Sequence, residues 1–357
     1  MLLFKQTINE ATPWIPPRNR DGMICLDLSE NQFLSETNYL LLLQAISPQS
    51  LMAYPSYDEI TLRLARYADV DVDQVLVTNG ADQAIEILLR ALCPSNRVAI
   101  AVPTFSYYRH ICALEGISID PIPCTHHGQI DLGELEVSLN AGSDGVVLCN
   151  PSNPLSVLLD AKQIMHLLDL AWRLEKFVIV DEVYFEFCGV TLAPMLSRYH
   201  NLIIVRSFSK GFGLAGLRLG YILAQASVLA QLNKVRGPWD VNGMAVSVGL
   251  AALKNQQWFQ FLATFAQCKA RLEALLVQHG FRVLPSYTNF LTAHHDCAEA
   301  LHSQLRKKGI LIANLTDYPD SHGMLRNYVR IGVPNPMQLD VMECALANLE
   351  EQQYEIS

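Results

Sequence analysis

Lysine, serine and arginine side chains are concentrated in the segment Arg206–Arg218, which directly follows the strand-like apolar run Leu202–Val205. The hydroxyls of Ser207 and Ser209 and the terminal arginine of this segment are donors suited to a phosphate group. Lys210, held near other cations and partly removed from water, loses basicity and becomes a nucleophile that forms a Schiff base. An aldehyde that carries a phosphate, such as pyridoxal 5′-phosphate, requires both features, so the segment predicts this cofactor.

A carboxylate ends another strand-like run. Phe177–Val180 is followed by Asp181, and Tyr184 comes three residues later. At the deep end of a cofactor pocket, a carboxylate keeps a pyridine nitrogen protonated, and the phenol can donate to the ring's 3-oxygen. The alternatives are an aspartate that caps a turn and a Walker-B-like aspartate that holds magnesium. The magnesium alternative requires a GxxxxGK[ST] motif, which the chain lacks.

A tight turn joins the strand-like Val75–Val77 to an amphipathic helical pattern over Ala81–Leu92. Gly80 permits the turn, and the helix N-terminus, with Ala81 and Asp82, offers backbone amides to a phosphate. The alternative is that Asn79 or Asp82 only caps the helix.

Three more side chains have types that suit a ligand site at the carboxyl ends of strands. Phe105 can stack on a flat ring, or it simply packs in the core. Asn153, between two prolines, can direct its amide at a ligand oxygen, or it forms an ordinary Asx turn. Arg330, in the strand-like Tyr328–Val333, can hold a carboxylate bidentately, or it is a solvated arginine on an edge strand.

The glycines of Gly211–Gly216 match the pattern GxGxxG. A dinucleotide site would also need a helix immediately afterwards and an acidic residue about 20 positions later. Instead Leu217–Leu223 has the pattern of a strand, and position 236 is Arg. A nicotinamide-dependent oxidoreductase therefore remains only as an unlikely alternative.

Composition restricts the classes of partner. Half of the 357 residues are hydrophobic, 17% are charged and the net charge is −9 without a long basic block, so we expect neither nucleic acid nor a membrane as partner. The nine cysteines are scattered without a CxxC pair, and no signal peptide or long apolar stretch occurs. These features predict a cytoplasmic protein, and no metal site is expected.

Strand-like runs alternate with helical patterns from Val75 to about Pro238, which predicts right-handed crossovers and a mostly parallel sheet. Further strands are expected at Arg97–Val102 and Gly145–Cys149. After Pro238 the pattern changes to that of a smaller α+β domain. We expect an N-terminal segment over residues 1–45 that packs on the small domain and the active site. A large cofactor-binding domain follows over 46–240, and the small C-terminal domain covers 241–357.

The order of these motifs resembles that of fold-type-I pyridoxal phosphate enzymes, in particular the histidinol-phosphate aminotransferase family of class II aminotransferases. The resemblance runs from about Leu26 to the C-terminus, and Asp181–Tyr184 followed by Ser207–Lys210 and Arg218 is its most specific part. It implies an α/β, aspartate-aminotransferase-like large domain with a mostly parallel seven-stranded sheet, and a smaller α+β C-terminal domain.

The resemblance also implies roles for single residues around the cofactor. Lys210 binds the cofactor aldehyde and then shuttles a proton, Asp181 pairs with the pyridine nitrogen, and Phe105 stacks on the ring. Tyr184 and Asn153 contact the 3-oxygen. The residues implied to surround the phosphate are Ala81, Asp82, Ser207, Ser209 and Arg218.

Three residues are implied to bind substrate or to reach across a homodimer. Tyr54, in Ala53-Tyr54-Pro55, reaches the partner subunit's phosphate and contacts substrate, as Asn153 also does. Asn31, in Leu28-Ser29-Glu30-Asn31, lines the substrate pocket. Arg330 holds the substrate α-carboxylate.

Three positions depart from the family pattern. The family turn Asn-Pro-Thr-Gly is Asn153-Pro154-Leu155-Ser156 here, which removes a permissive glycine. Gly309–Ile312 is followed by Ala313-Asn314, without the arginine that commonly holds a substrate phosphate. Trp14 stands where the family has a tyrosine. The last two differences argue against a phosphorylated substrate.

The resemblance implies an aminotransferase that moves an amino group between an amino acid, or an amino-alcohol phosphate, and a 2-oxo acid. A threonine-phosphate-type decarboxylase or another pyridoxal phosphate lyase has the same motifs and remains an alternative. A non-enzymatic regulator built on this fold would carry an added helix-turn-helix domain, whereas only a short irregular segment precedes the fold here.

Overall fold

Two sheets and fourteen α-helices account for most of the computed structural model, which describes residues 3–354 and their side chains up to residue 347. The strands are β1 (Ile24–Cys25), β2 (Val75–Thr78), β3 (Arg97–Val102), β4 (Ser118–Pro123), β5 (Gly145–Cys149), β6 (Phe177–Asp181), β7 (Leu202–Ser207), β8 (Gly220–Ala224), β9 (Arg282–Val283), β10 (Phe290–His294), β11 (Ile310–Leu311), β12 (Ala313–Asn314) and β13 (Tyr328–Gly332). The helices are α1 (Gln6–Glu10), α2 (Glu36–Leu43), α3 (Pro48–Met52), α4 (Asp58–Ala68), α5 (Gly80–Leu92), α6 (Tyr107–Glu115), α7 (Leu132–Asn140), α8 (Ala161–Arg173), α9 (Phe185–Cys188), α10 (Ala226–Leu232), α11 (Gly243–Lys254), α12 (Leu262–Gln278), α13 (Ala298–Lys307) and α14 (Pro336–Tyr354).

The large sheet has seven strands in the order β2-β8-β7-β6-β5-β3-β4. Only β8 runs antiparallel to its neighbours, β2 and β7, and the other pairings are parallel. Every residue of β5, β6, β7 and β8 is buried, as expected for strands covered by helices on both faces. Separate apolar clusters lie on the two faces. The predicted fold class, α/β with a mostly parallel seven-stranded sheet, is confirmed.

Strand β4 was not predicted from the sequence. It contains Pro121 and Pro123 and pairs only with β3, at the edge of the sheet. Because proline cannot donate to a strand ladder, an edge is the position in a sheet where it is tolerated.

Helix α2 corrects the expectation that about the first 40 residues are irregular. Ser35 forms a capping box with Asn38 at its N-terminus. Three of its leucines are more than half exposed, so the helix lacks the amphipathic pattern by which helices are recognised in a sequence.

The second sheet contains four antiparallel strands in the order β12-β13-β10-β9. It packs with α12, α13 and α14 around its own apolar cluster. The N-terminal strand β1 pairs in parallel with β11, which connects residues near the start of the chain to this α+β part. The domain boundaries after residues 45 and 240 stay predictions. No helix among the described residues is long and apolar enough to cross a membrane.

Candidate active site

A cavity of about 320 Å³ lies at the carboxyl ends of β5, β6 and β7. The parallel register places Asp181 beside Cys149 and Val205, so the polar residues that follow these strands meet at one edge of the sheet. Most of the predicted site residues line this cavity: Ala81, Asp82, Phe105, Asn153, Asp181, Tyr184, Ser207, Ser209, Lys210, Arg218 and Arg330.

Lys210 is held by the N-terminal segment of the chain. Its Nζ donates to the backbone oxygen of Leu28 at 2.7 Å. Burial is the main reason that the pKa of Lys210 is lowered to about 8, and Arg330 and Arg218 lower it further, while Glu30 and Asp82 oppose the shift. The sequence argument from neighbouring cations therefore has the correct direction, but loss of water is the larger cause.

Asp181 is 2% exposed, at the bottom of the cavity. Burial raises its pKa to about 7, and two donors counteract that effect. The backbone N–H of Val183 donates to Oδ1 at 3.2 Å, and the hydroxyl of Tyr108 donates to Oδ2 at 3.2 Å. We did not identify Tyr108 from the sequence, where a second tyrosine at the start of a helix has no distinguishing signal.

Cationic and amide donors lie around the N-terminus of α5. Gly80 has φ +77°, and a Cβ atom there would lie 2.7 Å from Nη2 of Arg218. Nη2 of Arg218 donates to Oδ2 of Asp82 at 2.6 Å, while Nη1 is 3.4 Å from the Ser209 hydroxyl. Asn79 occupies the N-cap position without a side-chain capping bond. The capping alternative is therefore wrong for Asn79, and the contact of Asp82 is an ion pair.

Ser207 shows how the strand end is shaped for the same group. Its residue is buried, and its Oγ accepts a hydrogen bond from the backbone N–H of Ser209 at 3.0 Å. The hydroxyl proton of Ser207 therefore stays available for an acceptor in the cavity.

Arg330 connects the two parts of the chain. Its strand, β13, is flanked by β12 and β10, so the alternative of an edge-strand arginine is wrong. Nη1 donates to Oδ1 of Asn153 and Nη2 to the backbone oxygen of Asp27, both at 2.6 Å. Because Asn153 accepts from Arg330 through Oδ1, its amide nitrogen stays available as a donor, and the Asx-turn alternative is not supported.

Aromatic residues form much of the remaining wall. Tyr184 is 1% exposed and meets Phe290 edge to face, with ring centroids 5.3 Å apart. Phe105 is half-buried against Tyr107 instead of being fully packed in the core. Trp14, which we noted only as a departure from the family, lines the cavity with its ring edge on Tyr107. Residues that the sequence reasoning did not place in the site are Leu28, Glu30, Ser106, Cys149, Val183 and Tyr318.

Tyr54 and Asn31 lie outside the cavity wall. Tyr54 is 77% exposed and stacks on Trp239 at 4.3 Å between ring centroids. Asn31 donates from Nδ2 to the backbone oxygen of Gly211 at 3.1 Å and accepts from the N–H of Phe33. Its side chain therefore holds backbone in place, and its neighbours Leu28 and Glu30 line the cavity instead.

A buried ion pair lies directly next to the site in sequence. Glu182 follows Asp181, and Arg206 precedes Ser207, and both charged side chains are about 1% exposed. Nε and Nη2 of Arg206 donate to Oε2 of Glu182 at 3.1 and 3.0 Å. The pair thus joins the ends of β6 and β7, the strands that supply the acid and the lysine.

The departures from the family pattern have specific positions. Ser156, where the family has glycine, adopts φ +66° and is fully buried, so a non-glycine residue occupies the left-handed conformation. Ala313 lies directly opposite Arg330 on the neighbouring strand, and Asn314 is exposed. Gly211–Gly216 leads through a short 3-10 turn at Ala215–Leu217 into β8, so no α-helix follows the GxGxxG match.

Comparison with known proteins gives a consistent result. Residues 23–345 match the family model for aminotransferase class I and II. The chain is 30% identical over 336 residues to histidinol-phosphate aminotransferase of Cronobacter sakazakii, with 91% of each chain covered. It is similar in structure to histidinol-phosphate aminotransferase from Sinorhizobium meliloti in complex with pyridoxal 5′-phosphate (TM-score 0.85, 21% identity, 98% of each chain). It is also similar to L-threonine-O-3-phosphate decarboxylase from Porphyromonas gingivalis (TM-score 0.77, 25% identity, 92% of this chain and 100% of that one).

Proposed function

The chain belongs to the class I and II aminotransferases, and from that premise we propose that it transfers an amino group between an amino compound and a 2-oxo acid. Its cofactor is pyridoxal 5′-phosphate. The observation that carries the proposal is the position of Lys210, whose amine lies in one cavity with Asp181, Arg218 and Arg330.

The side chains of the cavity fit the cofactor. The N-terminus of α5, Ser207, Ser209 and Arg218 supply donors for a phosphate, and a Cβ at position 80 would fill the space beside that arginine. Asp181 is buried at the bottom, as a partner for a protonated pyridine nitrogen requires. When bound, the cofactor supplies an aldehyde that condenses with amines and a ring that withdraws electrons from the adjoining carbon.

We assign the proton transfer to Lys210. Because its pKa is lowered to about 8, a substantial fraction of the Nζ amine is unprotonated near neutral pH and can accept a proton. Asp181 holds the nitrogen-bound proton of the ring, and Tyr184 orients the ring oxygen. Arg330 binds the carboxylate of the substrate through its two Nη groups, which also hold Asn153 and the backbone at Asp27 in place.

We propose further that the preferred substrate carries no phosphate. Position 313 is alanine beside Arg330, and the carboxylate of Glu30 lines the substrate side of the cavity. Arg20 and Arg109 lie nearby, but both are paired with acids, Arg20 with Glu30 and Asp27, and Arg109 with Asp320.

A donor–acceptor screen tests both statements. The purified protein with pyridoxal phosphate is incubated with amino donors and 2-oxoglutarate, and both 2-oxo acid formation and carbon dioxide release are measured. We expect 2-oxo acid, whereas carbon dioxide without 2-oxo acid would establish the decarboxylase alternative. An arginine–phosphate pair contributes about 1.5–3 kcal/mol, or roughly 10- to 150-fold. A preference for L-histidinol phosphate over L-histidinol in that range would contradict the proposal about phosphate.

Peptide mapping tests the assignment of the lysine. Borohydride reduction of the loaded protein should fix the pyridoxyl group on Lys210. Lys269 serves as an internal control, since its pKa is also lowered to about 8 by burial, but it donates to Ser286 and Thr288 backbone oxygens in the small sheet. Lys210→Ala should lower the turnover at least about 1,000-fold, within the range of proton-transfer catalysis. Label on Lys269, or normal activity of Lys210→Ala, would refute the assignment.

We also propose a homodimer in the cytoplasm. Tyr54 is exposed on its own chain, so a contact with a cofactor phosphate requires a second copy. All nine cysteines are free, which suits a reducing compartment. Sedimentation of the Tyr54→Ala variant and the native protein would measure the assembly. A native protein that sediments as a monomer while remaining active would contradict the homodimer.

A further inference from the structure

Tyr108 contacts the acid of the site from outside the cavity. It is the second residue of α6 and is fully buried, and it does not line the cavity. Its hydroxyl lies 3.2 Å from Oδ2 of Asp181. The phenol ring packs among apolar residues of the sheet face, so the hydroxyl is directed at the carboxylate by the fold.

Asp181 depends on few donors. Among the residues that the structure describes, Oδ1 accepts from the backbone N–H of Val183 and Oδ2 accepts from Tyr108. A backbone N–H is present whatever the side chain, so Tyr108 is the one side-chain donor to this carboxylate. Removing it would leave Oδ2 buried without a protein partner, which is costly for an ionised group.

The groups around Asp181 otherwise favour its neutral form. Burial raises its pKa, and the negative charges of Asp82 and Glu182 act in the same direction, whereas Val183 and Tyr108 act against them. Burial raises the pKa of Tyr108 itself well above its usual value, so the phenol stays a donor at any working pH. The other titratable groups that face this region are Cys149, Tyr184, Tyr318 and Arg330.

We propose that Tyr108 is a positioning residue, whose hydroxyl fixes the orientation of Asp181 and keeps it ionised for the pyridine nitrogen of the cofactor. The inference rests on the proposed function of Asp181. The phenol acts through the carboxylate and touches neither cofactor nor substrate. Its effect should therefore appear wherever the ionisation of Asp181 matters, including the protein without cofactor.

The Tyr108→Phe variant tests this proposal, because it removes one oxygen and keeps the ring packing. In the protein without cofactor, we expect the affinity for pyridoxal phosphate, measured by fluorescence titration, to fall about 10-fold, the lower end of a lost hydrogen bond to a charged group. In the loaded enzyme, kcat should fall by a similar factor while KM changes less than about twofold.

Tyr107→Phe is the matched control. The neighbouring phenol donates to Glu86 at 2.6 Å, so this variant also removes a hydroxyl–carboxylate bond, but one away from Asp181. We expect its cofactor affinity and kcat to stay at the native values. Equal losses in the two variants would mean a general effect on α6 and would overturn the proposal.

The pH dependence of thermal stability gives a readout that does not need activity. A carboxyl whose folded pKa is raised contributes stability at low pH that is lost as pH rises through that pKa. Tyr108→Phe raises the pKa of Asp181 further, so its loss in melting temperature should be larger at about pH 8.5 than at about pH 5.5. An equal loss at the two values would refute a role in ionisation.

A double-variant cycle completes the test. In an Asp181→Asn background there is no charge to stabilise, so adding Tyr108→Phe should change cofactor affinity less than about twofold. A full loss in that background would show that the phenol acts by another route. If the protein proved not to be an aminotransferase, these affinity and stability measurements would still decide the role of Tyr108.

Discussion

Replacing Glu182 with alanine should destabilise the protein by about 3 kcal/mol, although the residue touches no part of the cavity. The substitution leaves the guanidinium of Arg206 in an interior where both side chains are about 1% exposed. Removing one partner of a buried ion pair costs about 3–5 kcal/mol, since the remaining charge is neither hydrated nor paired.

The structure places this cost at the lower end of the range. Nη2 of Arg206 keeps a bond to the hydroxyl of Thr191 at 2.6 Å, and its Cζ lies 3.8 Å from the centre of the Phe185 ring. Glu186 lies close enough that Arg206 lowers its pKa, which burial raises to about 7, so it offers a partial negative charge. These three contacts compensate part of the lost interaction.

Thermal unfolding of the protein without cofactor is a suitable assay. An unfolding entropy of about 2.1 cal/mol/K per residue gives about 0.75 kcal/mol/K for a chain of this length, so 3 kcal/mol corresponds to a shift of about 4 °C. Glu182→Gln keeps the shape and an acceptor for the N–H of Leu192, which now donates to Oε1 at 2.7 Å. It should lose about half as much.

Two results would refute this reasoning. One is a shift below about 1 °C for Glu182→Ala, which would mean that Arg206 is stable without its partner. The other concerns the double variant Arg206→Met/Glu182→Leu, in which no charge is left buried. It should be more stable than Glu182→Ala, and additive losses would show that the two side chains are not coupled.

Three further predictions concern the cavity and its supporting loop. Gly80→Ala should weaken pyridoxal phosphate binding at least about 10-fold in a fluorescence titration, because the new Cβ meets Arg218; unchanged affinity would contradict this placement. Arg330→Lys loses the bidentate fork, so KM for a carboxylate-bearing amine should rise about 10-fold or more in steady-state assays; an equal rise for an amine without a carboxylate would exclude a carboxylate contact. Ser156→Gly relieves a left-handed conformation but loses the hydrogen bond to the Pro285 backbone oxygen at 3.1 Å, so its melting temperature should stay near native; Ser156→Ala, which loses only the bond, should melt lower, and the reverse order would be inconsistent with strain at this position.

Patterns within one segment were sufficient to predict most of the large sheet and much of the site. Phe177–Val180 and Leu202–Val205 are apolar runs that can only be buried strands in this context, and the polar residues after them share one sheet edge as a consequence of parallel pairing. Lys210, Asp181 and Arg218 were therefore predictable. Strand β4 was not, because its two prolines are acceptable only at an edge, and strand order is not visible in local sequence.

Contacts between distant segments could not be predicted in the same way. Tyr108 meets Asp181 across 73 positions, and Trp14 and Glu30 reach the cavity only because the N-terminal segment crosses it. Asn31 illustrates the opposite error, since the motif that contains it is near the site while its amide binds the backbone at Gly211. Sequence patterns give the position of a residue along an element, but the neighbours of its side chain follow from tertiary packing.

Residues 26–31 are attached to both sheets of the molecule, with consequences for how the two parts can move. Small-sheet residues hold three of their backbone oxygens: Gly332 binds Leu26, Arg330 binds Asp27 and Asn289 binds Ser29. On the large-sheet side, the amine of Lys210 binds Leu28. Whenever that amine bonds to another group, Leu28 loses its donor while the other three attachments persist. The entrance to the cavity is then free to travel with the C-terminal part of the chain, so occupancy at one nitrogen atom controls the mechanical coupling between the two halves.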